Sequence, residues 1–363
     1  MLSEKGSQKA VLVFSRKIIS DNFFDLTSGG DGVQKKYFWI YLLWVYAAAW
    51  FMWSIAIVVG TNSYLYHVNT VVAMLAPTYA FFITQKISGN RISLSANFKF
   101  GFKRNWRYYM IAWLLPGMLT FLGAIVYFAV LPNELDMSFG YVSKALSDNH
   151  INNVTAEYYI SQEIVSGIFI APFVNIVLGM GEEIGWRGYL YPELRKKYSP
   201  FKAHLISGFI WGFWHTPINM TGYNYGVRYF GYPVVGVIAM SVFCFSAGVI
   251  LSWLTEKTGS IFPASLMHGS VNAINSAAVM FQGIPYLYGS TMILGPCPNG
   301  FIGGIPMLIV ALVILLKSEK ISKKPLTNEN KCGIINKLSH ENKFRQSTKK
   351  FLKKFKKTLD KCE

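Results

Sequence analysis

Eight apolar stretches constrain the fold of this 363-residue chain more than any other feature. A stretch of about 20 apolar residues can cross the hydrocarbon core of a bilayer as an α-helix. The chain is 52% hydrophobic and only 15% charged, whereas soluble domains carry about 25% charged residues. The runs lack the even strand spacing of an outer-membrane barrel. The sequence therefore predicts an all-α polytopic membrane protein with about eight transmembrane helices, near 38–60, 69–85, 108–131, 165–195, 203–220, 233–254, 261–284 and 301–316.

Positive charge alternates between the loops that join these predicted spans. Lys and Arg are concentrated in the N-terminal segment, in the loops after the second and fourth spans, and in the C-terminal tail. Loops 61–68 and 285–300 contain neither, and loop 132–164 is net acidic. Cytoplasmic loops carry an excess of Lys and Arg, so the pattern predicts a multi-pass protein of the cell membrane with both termini cytoplasmic. The predicted divisions are a cytoplasmic N-terminal segment (1–36), a membrane domain (37–316) and a basic cytoplasmic tail (317–363).

The tail is strongly basic, with fifteen Lys and Arg against five Asp and Glu. A basic block beside a span favours contact with anionic lipid. Its apolar residues at near-helical spacing indicate either a basic amphipathic helix on the membrane surface or a disordered solubilising tail. No nucleic-acid partner is expected, because no folded reader domain accompanies the charge. The four cysteines lack metal or disulfide spacing, which predicts free thiols.

Three of the predicted spans contain polar groups that are costly in hydrocarbon and are usually kept there for a function. From a helix rise of about 1.5 Å per residue, these groups lie at similar depths, about 16–20 Å from the neighbouring basic loops. Acids, imidazoles and an amide at one level predict a hydrolytic site. Its candidate residues are Glu182, Glu183 and Arg187 in the fourth span, His215 in the fifth, and His268 with Asn272 in the seventh.

The local spacing assigns different roles to the two glutamates. Glu183 and Arg187 are four residues apart and can pair on one helix face. Glu182 points about 100° away and lacks that partner, which makes it the better candidate for a general base or ligand. His268 and Asn272 are also four residues apart and share a face.

Small and aromatic residues accompany these polar groups. Glycines let helix backbones approach closely, and the fourth and fifth spans contain Gly181, Gly185, Gly188, Gly208 and Gly212. The aromatic residues predicted to pack around the site or to line an apolar substrate groove are Trp186, Tyr189, Trp211 and Trp214.

These motifs resemble those of the CAAX prenyl protease and bacteriocin-processing (CPBP) family of intramembrane proteases, also called the ABI family. The family's first motif, Glu-Glu-x-x-x-Arg, is matched by Glu182, Glu183 and Arg187. Its second, Phe-x-x-x-His, is matched at His215, with Trp211 where Phe is usual. That exchange retains a bulky aromatic residue, so it bears on packing more than on chemistry.

The third family motif is a His followed four residues later by Asn or Asp, matched here by His268 and Asn272. The resemblance covers about residues 160–280, and three motifs in order make it specific. It implies an eight-helix fold, a conical cavity open to the cytoplasm, and hydrolysis of peptide bonds.

The resemblance leaves two mechanisms open. In the first, Glu182 is the general base for a water that His215 also holds, while His268 and Asn272 donate hydrogen bonds to the oxyanion. In the second, Glu182, His215 and His268 bind zinc, which activates the water. The amide suits the oxyanion role better than zinc ligation. In either mechanism the neighbouring Glu–Arg pair orients the site, and the cofactor is none or zinc.

The sequence thus predicts an intramembrane endopeptidase that acts on hydrophobic, lipidated or leader peptides, as in peptide maturation or bacteriocin self-immunity. One alternative is a non-proteolytic membrane scaffold or regulator that binds a partner. A second is a transporter that uses the Glu–Arg pair in a proton or substrate path. Inverted repeats would support the transporter, and the sequence contains no evident repeat.

Overall fold

Helices form nearly all of the regular structure in the computed structural model, which describes residues 32–284 and 289–323. The predicted segment 1–36, except for its last few residues, and the tail beyond Lys323 lie outside the described residues. Short 3₁₀ segments occupy Pro132–Glu134, Ala277–Phe281 and Ser290–Leu294. The helices are α1 (Gly32–Val59), α2 (Tyr64–Ala73), α3 (Ala76–Ile87), α4 (Phe102–Val130), α5 (Gly140–Asp148), α6 (Ala156–Phe169), α7 (Ala171–Gly185), α8 (Tyr191–Arg195), α9 (Pro200–Trp214), α10 (Thr216–Asn219), α11 (Val234–Thr258), α12 (Phe262–Ile274) and α13 (Ile305–Lys323).

The chain divides into two compact units, Met1–Leu315 and Leu316–Glu363. The first contains every residue of the site, and the second is described only as far as Lys323.

Within the described residues, three helices are long and apolar enough to cross a membrane: α1, α4 and α11. Two bent helix pairs, α2–α3 and α6–α7, raise that number to five if each pair is one span. The all-α, multi-pass class is therefore observed, but this criterion does not confirm the predicted count of about eight spans.

Two predicted spans are broken rather than straight. The stretch predicted at 69–85 is α2 and α3, which meet at 47°, and the stretch predicted at 165–195 begins with α6 and α7, which meet at 54°. Pro77 lies in the first turn of α3 and Pro172 in the first turn of α7. A proline lacks the N–H that would extend the preceding helix, so each break lies at a proline.

Glycines bring the helices of the site into backbone contact. A Cβ at Gly212 of α9 would lie 2.5 Å from the Cα of Ser241 in α11. A Cβ at Gly269 of α12 would lie 2.8 Å from the carbonyl oxygen of Pro172 in α7. Both separations are too short for any side chain, so α9 packs directly on α11 and α12 on α7. The close approach predicted for Gly208 and Gly212 is observed.

The connections gather at two opposite ends of the molecule, because α4, α9, α11 and α12 each join one end to the other. At the first end, the Asn97 carbonyl accepts from the Ile261 amide at 3.1 Å, and the Ser95 amide donates to the Gly188 carbonyl at 2.9 Å. At the second, the Asp136 amide donates to the Phe281 carbonyl at 2.8 Å. We call the first set, 86–107, 195–202 and 255–260, the basic segments, and the second set, 132–151, 220–232, 275–284 and 289–300, the mouth segments.

A buried polar cluster ties the mouth segments to α4. The Tyr127 hydroxyl donates to Oε2 of Glu134, and the Gln282 amide donates to the same oxygen at 2.8 Å. Glu134 and Gln282 are both buried. Because a buried carboxylate needs donors, this cluster fixes the 3₁₀ segment after α4 against the chain that follows α12.

Candidate active site

The Glu-Glu-x-x-x-Arg motif lies where the helical winding changes. Glu182 and Glu183 are in the last turn of α7, and Arg187 lies in a single π-helical stretch, Trp186–Leu190, that leads into α8. A π-helical turn is rare and is found disproportionately at functional sites. The three side chains are almost completely buried, with exposed fractions of 2%, 0% and 3%.

Glu182 is held by two indole groups. Its Oε2 accepts from Nε1 of Trp186 at 3.0 Å and from Nε1 of Trp211 at 2.8 Å. Its other oxygen, Oε1, lies 3.7 Å from Nε2 of His268. The two donors fix the carboxylate while leaving Oε1 toward the imidazole, so Glu182 presents one oxygen for chemistry.

Glu183 joins Arg187 to His268. Its Oε1 accepts from Nη1 of Arg187 at 3.0 Å and from Nδ1 of His268 at 2.7 Å. The guanidinium carbon of Arg187 lies 4.3 Å from the ring centroid of Trp211, a cation–π distance. Because Nδ1 donates to the carboxylate, Nε2 of His268 is directed at the Glu182 side of the site.

His215 lies at the end of α9, among aromatic rings. Its Nδ1 is 2.8 Å from the Trp211 carbonyl oxygen, which can only accept, so Nδ1 carries the proton and Nε2 is left for other partners. The His215 ring stacks on Trp53, with centroids 6.0 Å apart, and meets Trp214 edge-on at 4.8 Å. Trp211 thus contacts both groups, with its indole on Glu182 and its carbonyl on His215.

A cavity of about 910 Å³ connects these groups. Glu182, His215, His268 and Asn272 all line it, which brings the four predicted catalytic side chains to one space. Asn272 lies on α12 one turn beyond His268, and its side chain is exposed to the cavity. Glu183 and Arg187 lie behind this wall and contact the cavity only through their partners.

The zinc alternative requires three ligands that converge. Among the described residues, no three His, Cys, Asp or Glu side chains are grouped so that they could hold one metal ion. The donor set of Glu182, His215 and His268 therefore does not fit zinc in this arrangement.

The sequence did not predict that two tryptophans donate hydrogen bonds to Glu182. Trp186 follows Glu182 by four residues, a spacing that could have indicated the hydrogen bond. The sequence predicted that Trp211 packs around the site or lines an apolar substrate groove, but its indole N–H also supplies the shorter of the two hydrogen bonds to Glu182. A Phe at that position would have no N–H to donate.

We expect Trp211→Phe to lower kcat about 10- to 100-fold with little change in KM, because a hydrogen bond to a charged group contributes about 1.5–3 kcal/mol. Steady-state kinetics on one cleaved peptide would measure this. Trp214→Phe is the matched control, because the buried Nε1 of Trp214 has no hydrogen-bond partner within the described part of the chain. Equal losses in the two variants would mean that ring packing, and not the donor, is responsible.

The fold and the site together define a multi-pass membrane protein with an acid–imidazole centre buried between its helices. Residues 164–274 match the model of the Rce1-like family, type II CAAX prenyl endopeptidases. CAAX prenyl protease 2 of Methanococcus maripaludis is 27% identical over 130 residues. The aligned part covers 34% of this chain and 48% of the relative, so it spans about half of the relative's length.

The matched region contains all three motifs, including Glu182, His215, His268 and Asn272. Over this region the chain is similar to the Rce1-like family of type II CAAX prenyl endopeptidases.

Proposed function

We propose that this protein is an intramembrane endopeptidase in which Glu182 activates a water molecule. The observation that carries the proposal is the carboxylate of Glu182, which is fixed by two indole donors and keeps its second oxygen beside His268 in a cavity. The similarity of residues 164–274 to a peptidase family supports it. The predicted substrates are hydrophobic, lipidated or leader peptides.

The chemistry assigns one task to each side chain. Glu182 takes a proton from the water as its oxygen attacks the peptide carbonyl carbon. His215, with Nε2 available, holds the same water. Asn272 donates its amide N–H to the oxyanion that forms, and His268 donates to it from Nε2 in its doubly protonated form, because its Nδ1–H is on Glu183. The proton on Glu182 then passes to the peptide nitrogen as the C–N bond breaks, and the carboxylate is restored.

Glu183 and Arg187 act as positioning residues. The Glu183 carboxylate accepts a hydrogen bond from Nδ1–H of His268. Arg187 supplies the positive charge that compensates the buried Glu183 carboxylate. The pair therefore holds the His268 ring in one orientation without contacting the substrate.

We also infer eight passes with both termini cytoplasmic. Support comes from the alternation of the basic and mouth segments along the chain: α4, α9, α11, α12 and the stretch from α6 to α8 each join one set to the other. Short spans such as α9 and α12 pack against longer neighbours, so length alone does not decide whether they cross.

The test is cleavage of a peptide panel by detergent-purified protein, with and without a zinc chelator. The panel contains a prenylated CAAX peptide, a hydrophobic peptide without lipid and several leader peptides. We expect cleavage that the chelator does not affect. Loss with chelator and recovery with added zinc would favour the metalloenzyme. A folded protein that cleaves nothing in the panel would favour the scaffold, and uptake into liposomes would favour the transporter.

A further inference from the structure

Two asparagines outside the three motifs line the cavity two helical turns away from the proposed catalytic residues. On α7, Asn175 precedes Glu182 by seven residues, and at the C-terminal cap of α12, Asn275 follows His268 by seven. All four side chains line the cavity. Because seven residues make about two turns of an α-helix, each asparagine shares a helix face with its catalytic residue. Each helix therefore presents one catalytic group and one amide to the same space.

Backbone contacts fix these two amides relative to the catalytic centre. A Cβ at Gly179 of α7 would lie 2.6 Å from the carbonyl oxygen of Ser265, and one at Gly269 would lie 2.9 Å from the carbonyl carbon of Asn175. Later residues of α12 thus meet earlier residues of α7, so the two helices are antiparallel. Asn175 and Asn275 therefore lie on the same side of the catalytic centre, along one stretch of the cavity.

The protein leaves both amides without their full set of partners. Among the described residues, the Asn175 side chain has no hydrogen bond, and the buried Oδ1 of Asn275 has no partner. Polar side chains are costly in a membrane helix and usually bond to a neighbouring helix. Two unpaired amides that face a cavity therefore indicate that a bound molecule supplies the partners. Three other asparagines that line the cavity do bond within the protein: Asn149, Asn224 and Asn299.

The chemistry of an amide matches that of a peptide backbone. Its NH₂ group donates and its oxygen accepts, so one asparagine can pair with the C=O and the N–H of a substrate. This pairing does not depend on the side chains of the substrate. It requires an extended segment, because the backbone groups of the substrate have to be free to pair.

The spacing gives the position of these contacts along the substrate. Seven residues of α-helix rise about 10 Å, and an extended peptide advances about 3.3 Å per residue, so three substrate residues cover the distance. We infer that Asn175 and Asn275 bind the substrate backbone about three residues from the cleaved bond, and that cleavage requires an extended segment of that length. This inference rests on the proposed protease function.

The test combines a change in the protein with a change in the peptide. A peptide that the wild-type protein cleaves is made with single N-methyl groups on the second, third or fourth residue on each side of the cleaved bond. Each N-methyl group removes one backbone donor. We expect kcat/KM of the wild type to fall about tenfold for the group at or next to the third residue on one side, because one hydrogen bond is lost.

The variant Asn175→Leu should cleave the unmodified peptide about tenfold less efficiently than the wild type, mainly through KM. It should lose nothing more with the N-methyl group that matters to the wild type, because the two changes remove the same interaction. Its thermal unfolding midpoint should not fall, since leucine replaces a polar side chain that has no bond to lose. Asn275→Leu repeats the test on α12 if Asn175→Leu does not fold.

Asn69→Leu is the matched control. It makes the same exchange on α2, outside the cavity lining, where the amide already donates to the Leu65 carbonyl at 2.8 Å. It should keep the wild-type sensitivity to every N-methyl group. Equal N-methyl effects in Asn175→Leu and in the wild type would overturn the inference while leaving the protease function intact, since cleavage of the unmodified peptide establishes that function. A wild-type protein that cleaves no peptide would overturn both.

Discussion

Glu182→Gln is expected to slow peptide hydrolysis by a factor of about 10³ or more while the protein stays folded, because a general base contributes about 10²–10⁴-fold. The amide keeps the size of the side chain, and its oxygen can still accept from Trp186 and Trp211. It cannot take a proton from water. The measurement is the cleavage rate of purified protein on one peptide, with thermal unfolding as the check on folding. The Ala variants of Glu182 and His215 are likewise expected to be inactive.

Glu157→Gln is the matched control, since it makes the same exchange at an exposed glutamate in the first turn of α6. We expect it to cleave at the wild-type rate. If Glu182→Gln also cleaves at that rate, Glu182 is not the base and the mechanism proposed here is wrong.

Arg187→Met should lower the stability of the protein by about 3–5 kcal/mol, because it leaves Glu183 buried without its cation. The Glu183 side chain is completely buried, and its Oε2 already has no hydrogen-bond partner among the described residues. Met fills a similar volume, so the loss reflects charge rather than a cavity. We expect the midpoint of thermal unfolding in detergent to fall by roughly 10 °C.

Arg104→Met is the control for that prediction, because Arg104 is exposed in the first turn of α4. It should change the midpoint little. Adding Glu183→Gln to Arg187→Met should recover part of the stability, since it removes the uncompensated charge. If Arg187→Met has the same unfolding midpoint as the Arg104→Met control, the buried Glu183–Arg187 pair is not needed for stability.

Local spacing predicted those parts of the site that lie on one helix. Glu183 and Arg187 are four residues apart and are bonded as that spacing indicates, although the turn between them is π-helical. Side chains three or four residues apart meet whatever the rest of the fold does. The catalytic roles assigned to Glu182, His215, His268 and Asn272 stay predictions.

Contacts between helices could not be predicted in the same way. The bond from His268 to Glu183 joins residues 85 positions apart, and the bond from Trp211 to Glu182 joins residues 29 apart. Each depends on how one helix is rotated and shifted against another, which apolar periodicity within a single span does not specify. The bends at Pro77 and Pro172 were also missed, because a sum of hydropathy over a window does not register a change of direction.

The direct contacts of Gly212 with Ser241 and of Gly269 with Pro172 have a mechanical consequence. Backbone touching backbone leaves no side chain between the helices that could rearrange, so the helices that carry His215 and His268 form a stiff frame. Under the proposed mechanism, a substrate meets a rigid centre, and a peptide that arrives as a helix has to unwind to present its carbonyl group there.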